Sequence, residues 1–241
     1  NNKHIKLRLS RILRPSGEMI RRFIKYGTPV LLNETLWGLG TSLYPTIMGH
    51  MEGSTEILAA RALAGNIEDI CSVAVFAVAG TAAIIIGREI GAGHKGQVYD
   101  IGRCLNMLSI LLGLVIGVPC IGLTLWVFRP YLYPLFSMAA ETELICTQMC
   151  VITFAIMPLR AFNTTNVVGV LRAGGDVKMA SVIDLAPIWL GSIPLTFFLG
   201  IVLRMNILWV ALAYQVESFI KFYIGMKRLH SGKWIKDVTE G

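Results

Sequence analysis

Apolar runs of twenty or more residues, separated only by short turns of glycine, proline and charged residues, constrain this chain more than any other feature of its sequence. A helix needs about 20 mostly apolar residues to cross a bilayer, at about 1.5 Å of rise per residue. Six runs meet that length, at 24–48, 56–90, 101–128, 143–171, 179–202 and 207–226. The turns between them include Gly49-His50-Met51-Glu52-Gly53-Ser54, Gly91-Ala92-Gly93-His94-Lys95-Gly96, Arg129-Pro130 and Arg172-Ala173-Gly174-Gly175-Asp176. Charged residues make up 15% of the chain, against roughly 25% in soluble domains. The chain has too few polar side chains to cover a surface in water. The expected fold class is an all-α integral membrane protein, a bundle of six transmembrane helices. Residues 1–25 are expected to form a basic amphipathic interfacial or linker segment, 26–230 the six-helix lobe, and 231–241 a basic cytoplasmic tail.

A net charge of +7 would suit nucleic acid if the basic residues covered a soluble face with aromatics interleaved. Here they gather at the ends of the apolar runs, which excludes nucleic acid as a partner and makes the lipid bilayer the expected one. Their distribution also orients the chain. Arg88, Lys95 and Arg103, Arg172 and Lys178, and Lys227, Arg228, Lys233 and Lys236 fall on the side of the basic N-terminal run. Glu52, Glu56, Glu141 and Glu143 fall on the other. Positive charge stays inside, so both termini are expected in the cytoplasm and the protein in the plasma membrane. The chain does not begin with methionine and its first residues lack the apolar core of a signal peptide, so it reads as a piece of something longer. Its five cysteines lie in or beside apolar runs without a CxxC pair, and neither a disulfide framework, a metal site nor a cofactor is expected.

An ionisable side chain at mid-membrane costs about 2.5 to 3.5 kcal/mol to insert, so each one needs a reason to be there. Glu34 lies in the first run beside Asn33, five residues after Pro29, with Trp37 three residues on. Glu68 and Asp69 lie in the second run near Arg61 and Asn66, and Arg160 follows Pro158 in the fourth, before Asn163, Thr164, Thr165 and Asn166. Asp184 lies in the fifth run ahead of Pro187, and Gln215 and Glu217 lie in the sixth. For a single Asn or Thr, an internal hydrogen bond is explanation enough; for Asp184 and Glu217, structure and function are balanced. Glu34 is the strongest functional candidate. It has no cation within one helical turn, and a carboxyl there suits loading and release of a proton as its surroundings alternate between wet and dry. Arg160 is the natural counter-charge for one of the acids. The candidate cation-coupling residues are Glu34, Glu68, Asp69 and Asp184, and the candidate cavity residues Asn33, Trp37, Arg160, Asn163 and Asn166.

The run Tyr26-Gly27-Thr28-Pro29-Val30-Leu31-Leu32-Asn33-Glu34-Thr35-Leu36-Trp37-Gly38-Leu39-Gly40 resembles the start of the second six-helix lobe of multidrug and toxic compound extrusion (MATE) transporters. Three more matches follow in order. Ile86-Gly87-Arg88-Glu89-Ile90-Gly91-Ala92-Gly93 is similar to the family's IGxxxGAG loop, and Gly169-Val170-Leu171-Arg172-Ala173-Gly174-Gly175-Asp176 to its G-(I/V)-L-R-(S/A)-G-G-D turn. Asp184-Leu185, Trp189 and Ile193-Pro194-Leu195 resemble the next helix. The resemblance implies export of organic, drug-like compounds coupled to entry of a cation, with a missing first six-helix lobe as partner. Glu34 matches the acid many members use for coupling. Sodium-dependent members carry an aspartate where this chain has Ala161, flanked by Arg160 and Asn163, so the resemblance favours a proton over sodium.

Two other readings are a lipid-linked oligosaccharide flippase of the wider superfamily and a non-transporting assembly lobe. A flippase should show a more cationic cavity, whereas here acids are expected to outnumber Arg160 and Arg61. An enzyme is not expected. The sequence has no HExxH and no nucleophile placed with a base, and His4, His50, His94 and His230 fall in loops or tails.

Overall fold

The computed structural model describes residues 16–236. Most of the leading basic segment (1–15) and the last residues (237–241) lie outside them, as does any test of an interfacial role for the former. Among the described residues there is no strand. The helices are α1 (Gly17–Met48), α2 (Ser54–Gly91), α3 (Lys95–Leu123), α4 (Ala140–Ala155), α5 (Met157–Thr164), α6 (Val177–Val202) and α7 (Ile207–His230). Helix α3 runs on through a widened stretch, Thr124–Leu132, and a tight turn, Tyr133–Phe136. Helix α5 continues through a similar widened stretch, Thr165–Leu171.

Four spans are long and apolar enough to cross a membrane unbroken: α2, α3 with its extension, α6 and α7. Helices α4 and α5 make a fifth, bent by 54°. Helix α1, at 32 residues, is long enough to be the sixth but does not reach the apolarity of the other five. It also starts at Gly17, inside the segment expected to be a separate linker, so nothing in the backbone marks a boundary at residue 25.

Local chemistry explains the ends and breaks. The turns at Gly93 and Gly175 need left-handed backbone, with φ of 81° and 89°, which glycine adopts without a Cβ penalty. Asn206 caps α7 by accepting a hydrogen bond from the Leu208 N–H at 3.0 Å. The bend between α4 and α5 falls at Ile156, two residues before Pro158, which has no N–H to continue the helix. In α6 the helix widens from Pro187 to Ser192 for the same reason.

The surface is inverted relative to a soluble protein. Only 22% of the most apolar stretch of α2 is buried. Large apolar side chains such as Ile70, Ile84, Trp126 and Leu190 stand outward, Leu190 at 81% exposure. So extensive an apolar exterior suits hydrocarbon. Inside, two apolar clusters form. One is built around Ile57, Ala64, Tyr133, Met149 and Phe154, and the other around Ile86, Val98, Phe162, Leu171 and Trp234. All five cysteines are free, and three of them pack in the first cluster's buried core. The polar cavity lies where the clusters meet, lined by Val75 and Met157 of the first and Val167 of the second.

Close approach of α3 to the bend depends on two glycines. A Cβ on Gly117 would stand 2.4 Å from the Phe154 carbonyl oxygen, and one on Gly113 2.5 Å from the Pro158 Cα. Both obstacles are backbone, so neither can swing aside. Gly117→Ala is expected to lower stability by about 1–3 kcal/mol, the usual cost of overpacking. Gly80→Ala, with nothing within 4 Å of the added carbon, should cost nothing measurable. Thermal unfolding midpoints of the two variants in one detergent check the contrast.

Candidate functional site

One face of each of five helices supplies the cavity. On α7, Tyr214, Glu217, Ser218 and Lys221 follow the i, i+3, i+4, i+7 spacing that puts side chains in one stripe. Glu34, Trp37 and Thr41 do the same on α1, as do Met157, Arg160, Thr164 and Val167 along α5 and its extension. Ser72 and Phe76 come from α2, and Asp184 from α6. These walls enclose about 350 Å³.

A row of charges of alternating sign crosses it. Arg172 Nη1 donates to Glu34 Oε1 at 2.7 Å and its Nη2 to Asp184 Oδ2 at 3.4 Å. Asn33 Nδ2 also donates to Asp184 Oδ2, at 3.1 Å. Lys221 Nζ donates to Asp184 Oδ1 at 3.1 Å and lies 3.6 Å from Glu217 Oε2. The order is therefore Glu34, Arg172, Asp184, Lys221, Glu217: three acids held by two cations. A second group balances it. Glu68 contacts Arg160 directly and Arg61 at 3.4 Å, and Arg61 lies over the Tyr214 ring, 5.5 Å from its centre. The surplus negative charge of the first group is matched by the surplus positive charge of the second.

Arg172 reaches the cavity because its helix widens just before it. The Arg172 N–H bonds to the Val167 carbonyl at 3.2 Å, one residue further than in an α-helix. The extra residue rotates the helix end. Helix α6 follows after a five-residue turn, 172–176, which brings Asp184 back to the same guanidinium.

The sequence candidates divide as follows. Glu34, Trp37, Arg160, Asn163 and Asp184 all line the cavity, and Asn33, 1% exposed, binds Asp184 from behind. Glu68 joins through Arg160, which answers the question of that arginine's partner. Asn163 also donates to the Ser218 carbonyl at 2.9 Å and so ties α5 to α7. Two candidates stand apart. Asp69 is exposed and outside the cavity lining, since a single step along α2 turns it away from Glu68. Asn166 is fully buried beside Asn106, also outside the lining. Tyr214, Lys221 and Arg172 belong to the site but were not candidates. By sequence Arg172 belongs to a glycine-rich turn among the cytoplasmic-side cations; the structure turns its side chain into the cavity. With Arg160, Arg172 and Lys221 lining the cavity against Glu34, Asp184 and Glu217, the expected excess of acids is not found. The charges balance.

A family model, MatE, matches residues 29–198. A curated relative, the probable multidrug resistance protein NorM of Thermotoga maritima, is 20% identical over 223 residues, covering 92% of this chain and 46% of the relative. Among solved structures, the MATE transporter ClbM in complex with Rb+ superposes with a TM-score of 0.78 at 21% identity, over 91% of this chain and 50% of that one. A MOP superfamily transporter from Pyrococcus furiosus, described as having a binding pocket of reverse polarity, gives 0.65 at 22% identity, over 91% of this chain and 46% of that one. The chain thus spans about half the length of the relatives it matches. With the matched model extending over more than half of its residues, this multi-pass membrane protein belongs to the MATE family of transporters.

Proposed function

We propose that the chain is the second lobe of a secondary active transporter that exports organic, cationic or drug-like compounds from the cell in exchange for protons. The observation that carries this reading is Glu34: a carboxylate on a membrane helix, 52% exposed, with one oxygen held by a guanidinium shared with a second acid. Such a group exchanges partners at low cost. When Glu34 takes up a proton, Arg172 keeps Asp184, so no buried charge is left alone. When it releases the proton, Arg172 is within reach to neutralise it. Organic cations would compete for the same exposed carboxylate, which ties cargo to proton. Sodium fits less well, because Arg172 and Lys221 already occupy oxygens that a metal ion would need. On this reading the chain sits in the plasma membrane with both termini in the cytoplasm, an orientation that the distribution of basic residues supports.

A second reading is a lipid-linked oligosaccharide flippase: the excess of acids that argued against it is absent, since Arg160, Arg172 and Lys221 balance Glu34, Asp184 and Glu217. Proton-driven uptake of an organic cation into inverted vesicles, against headgroup translocation in the same vesicles, separates the two.

Glu34→Gln in the full-length transporter is expected to abolish pH-driven export by at least about 100-fold, the lower range for losing an essential proton-transfer group, with stability nearly unchanged. Export at the original rate in proteoliposomes would remove the proton-carrier role. Arg160→Ala is expected to act on stability. Leaving Glu68 with Arg61 alone should cost about 3 kcal/mol of stability, typical of breaking a buried pair, and the double variant Glu68→Gln with Arg160→Ala, which no longer buries an acid short of a partner, should recover part of it. Unfolding midpoints in detergent read both results.

A further inference from the structure

Past the end of α7 the chain turns at Gly232 and lies back on the bundle. Residues 231–236 were expected to be a basic tail, yet Trp234 is fully buried. Its indole N–H donates to the Leu229 carbonyl at 3.1 Å. Its ring fills the space a side chain would take at Gly174, where an added Cβ would meet the ring at 2.4 Å. The Lys236 backbone N–H donates to the Gly174 carbonyl at 2.8 Å. Asp176, 1% exposed, accepts from Arg228 Nε at 2.6 Å and Lys236 Nζ at 2.5 Å.

Apart from the indole hydrogen bond, which ties Trp234 to the end of α7, these contacts converge on the turn 172–176. That turn contains two successive glycines, one with left-handed backbone, so it has little stiffness of its own. It also begins with Arg172, the cation between Glu34 and Asp184. The Gly175 N–H bonds to the Arg172 carbonyl at 3.1 Å, and the Asp176 N–H to the Leu171 carbonyl at 3.0 Å. A force on Asp176 or Gly174 is therefore felt at Arg172 within one turn of chain. None of Asp176, Arg228, Trp234 and Lys236 lines the cavity.

We propose that residues 231–236 are a clasp that positions Arg172, so that Trp234, Lys236 and Asp176 govern the cavity's central ion pairs without touching them. They are positioning residues. The clasp is silent to pH in the working range. Burial opposes the charge on Asp176, but the hydrogen bonds from Arg228 and Lys236 outweigh it and hold the carboxyl below the usual aspartate value. A depressed value means the stabilisation is present above the ordinary carboxylate range and is lost only as pH falls through the lowered one.

Coupling between two sites is reciprocal, and the test uses that. In the full transporter in lipid nanodiscs, Arg172→Lys is expected to speed amide hydrogen exchange in 232–236 about fivefold or more, although it touches none of those residues. Unchanged exchange there overturns the clasp. In the other direction, Trp234→Ala should shift the midpoint of the pH dependence of export and raise the cargo KM, while Trp234→Phe keeps both near the original. If Trp234→Ala does not fold, Asp176→Asn carries the same expectation. A variant that lowers only the amount of folded protein, with midpoint and KM intact, also overturns the clasp. The export readout rests on the proposed function and the exchange readout does not. Loss of the first reading through Glu34→Gln therefore leaves the second to stand or fall by itself.

Discussion

An ion surrounded by hydrocarbon must find its opposite within a few ångströms, and in this protein that requirement organises the interior. Burying a charge pair is not in general stabilising, because desolvation offsets much of the attraction. Breaking one after it has been buried is costly, and in a membrane no solvent stands ready to make up the loss. Eight charged side chains here form two groups whose surpluses cancel. They come from α1, α2, α5 with its extension, α6 and α7. Each helix is held in rotation about its axis by the charge it must deliver. Apolar packing alone would leave those rotations poorly specified, since lipid tails and leucine side chains are nearly equivalent surroundings.

The irregular parts of the helices are where that delivery happens. A regular α-helix advances about 100° per residue and could not present Met157, Arg160 and Val167 to the cavity and still turn Arg172 into it at the end. Widening between Thr165 and Leu171 supplies the missing rotation. Pro158 bends the chain so that α5 leans across the cavity, and Gly113 and Gly117 let α3 close against the bend. Proline, glycine and the widened turns thus act together. Removing the glycines would push α3 off the element that carries Arg160.

How much of this was legible in the sequence follows from the range of each interaction. Helix ends were readable because they depend on neighbours in the chain: Gly93, Gly175 and Pro158 stop or bend a helix by their own backbone chemistry. The stripe from Glu34 to Trp37 was readable for the same reason. Arg172 was not, because its partner Glu34 is 138 residues away and its loop-like neighbours disguised it as a charge that merely sits inside the cell. Lys221 was missed although Glu217 lies one turn before it; a lysine in an otherwise apolar run was itself the signal. Asp69 shows the reverse error. Next to Glu68 it shared the argument of membrane depth, but depth says nothing about facing, and adjacent residues on a helix point about 100° apart. The docked tail was invisible for another reason. Charge density argued for solvation, while the one residue that decides the matter, Trp234, needed the paired glycines of a distant turn to receive it.

Helix α1 has two faces whose difference limits what can lie beside it. Asn33 points inward and is sealed, whereas Glu34 and Trp37, at 52% and 40% exposure, look out from the cavity edge. Leu31, Leu32, Leu36 and Leu39 on the same helix are also exposed. A half-exposed carboxylate cannot border lipid chains without carrying its insertion cost, so the side of the cavity beyond Glu34 has to meet water or polar protein surface. The leucines set the opposite condition over the rest of the helix. The boundary between a wet path and an apolar surround therefore runs along α1 itself.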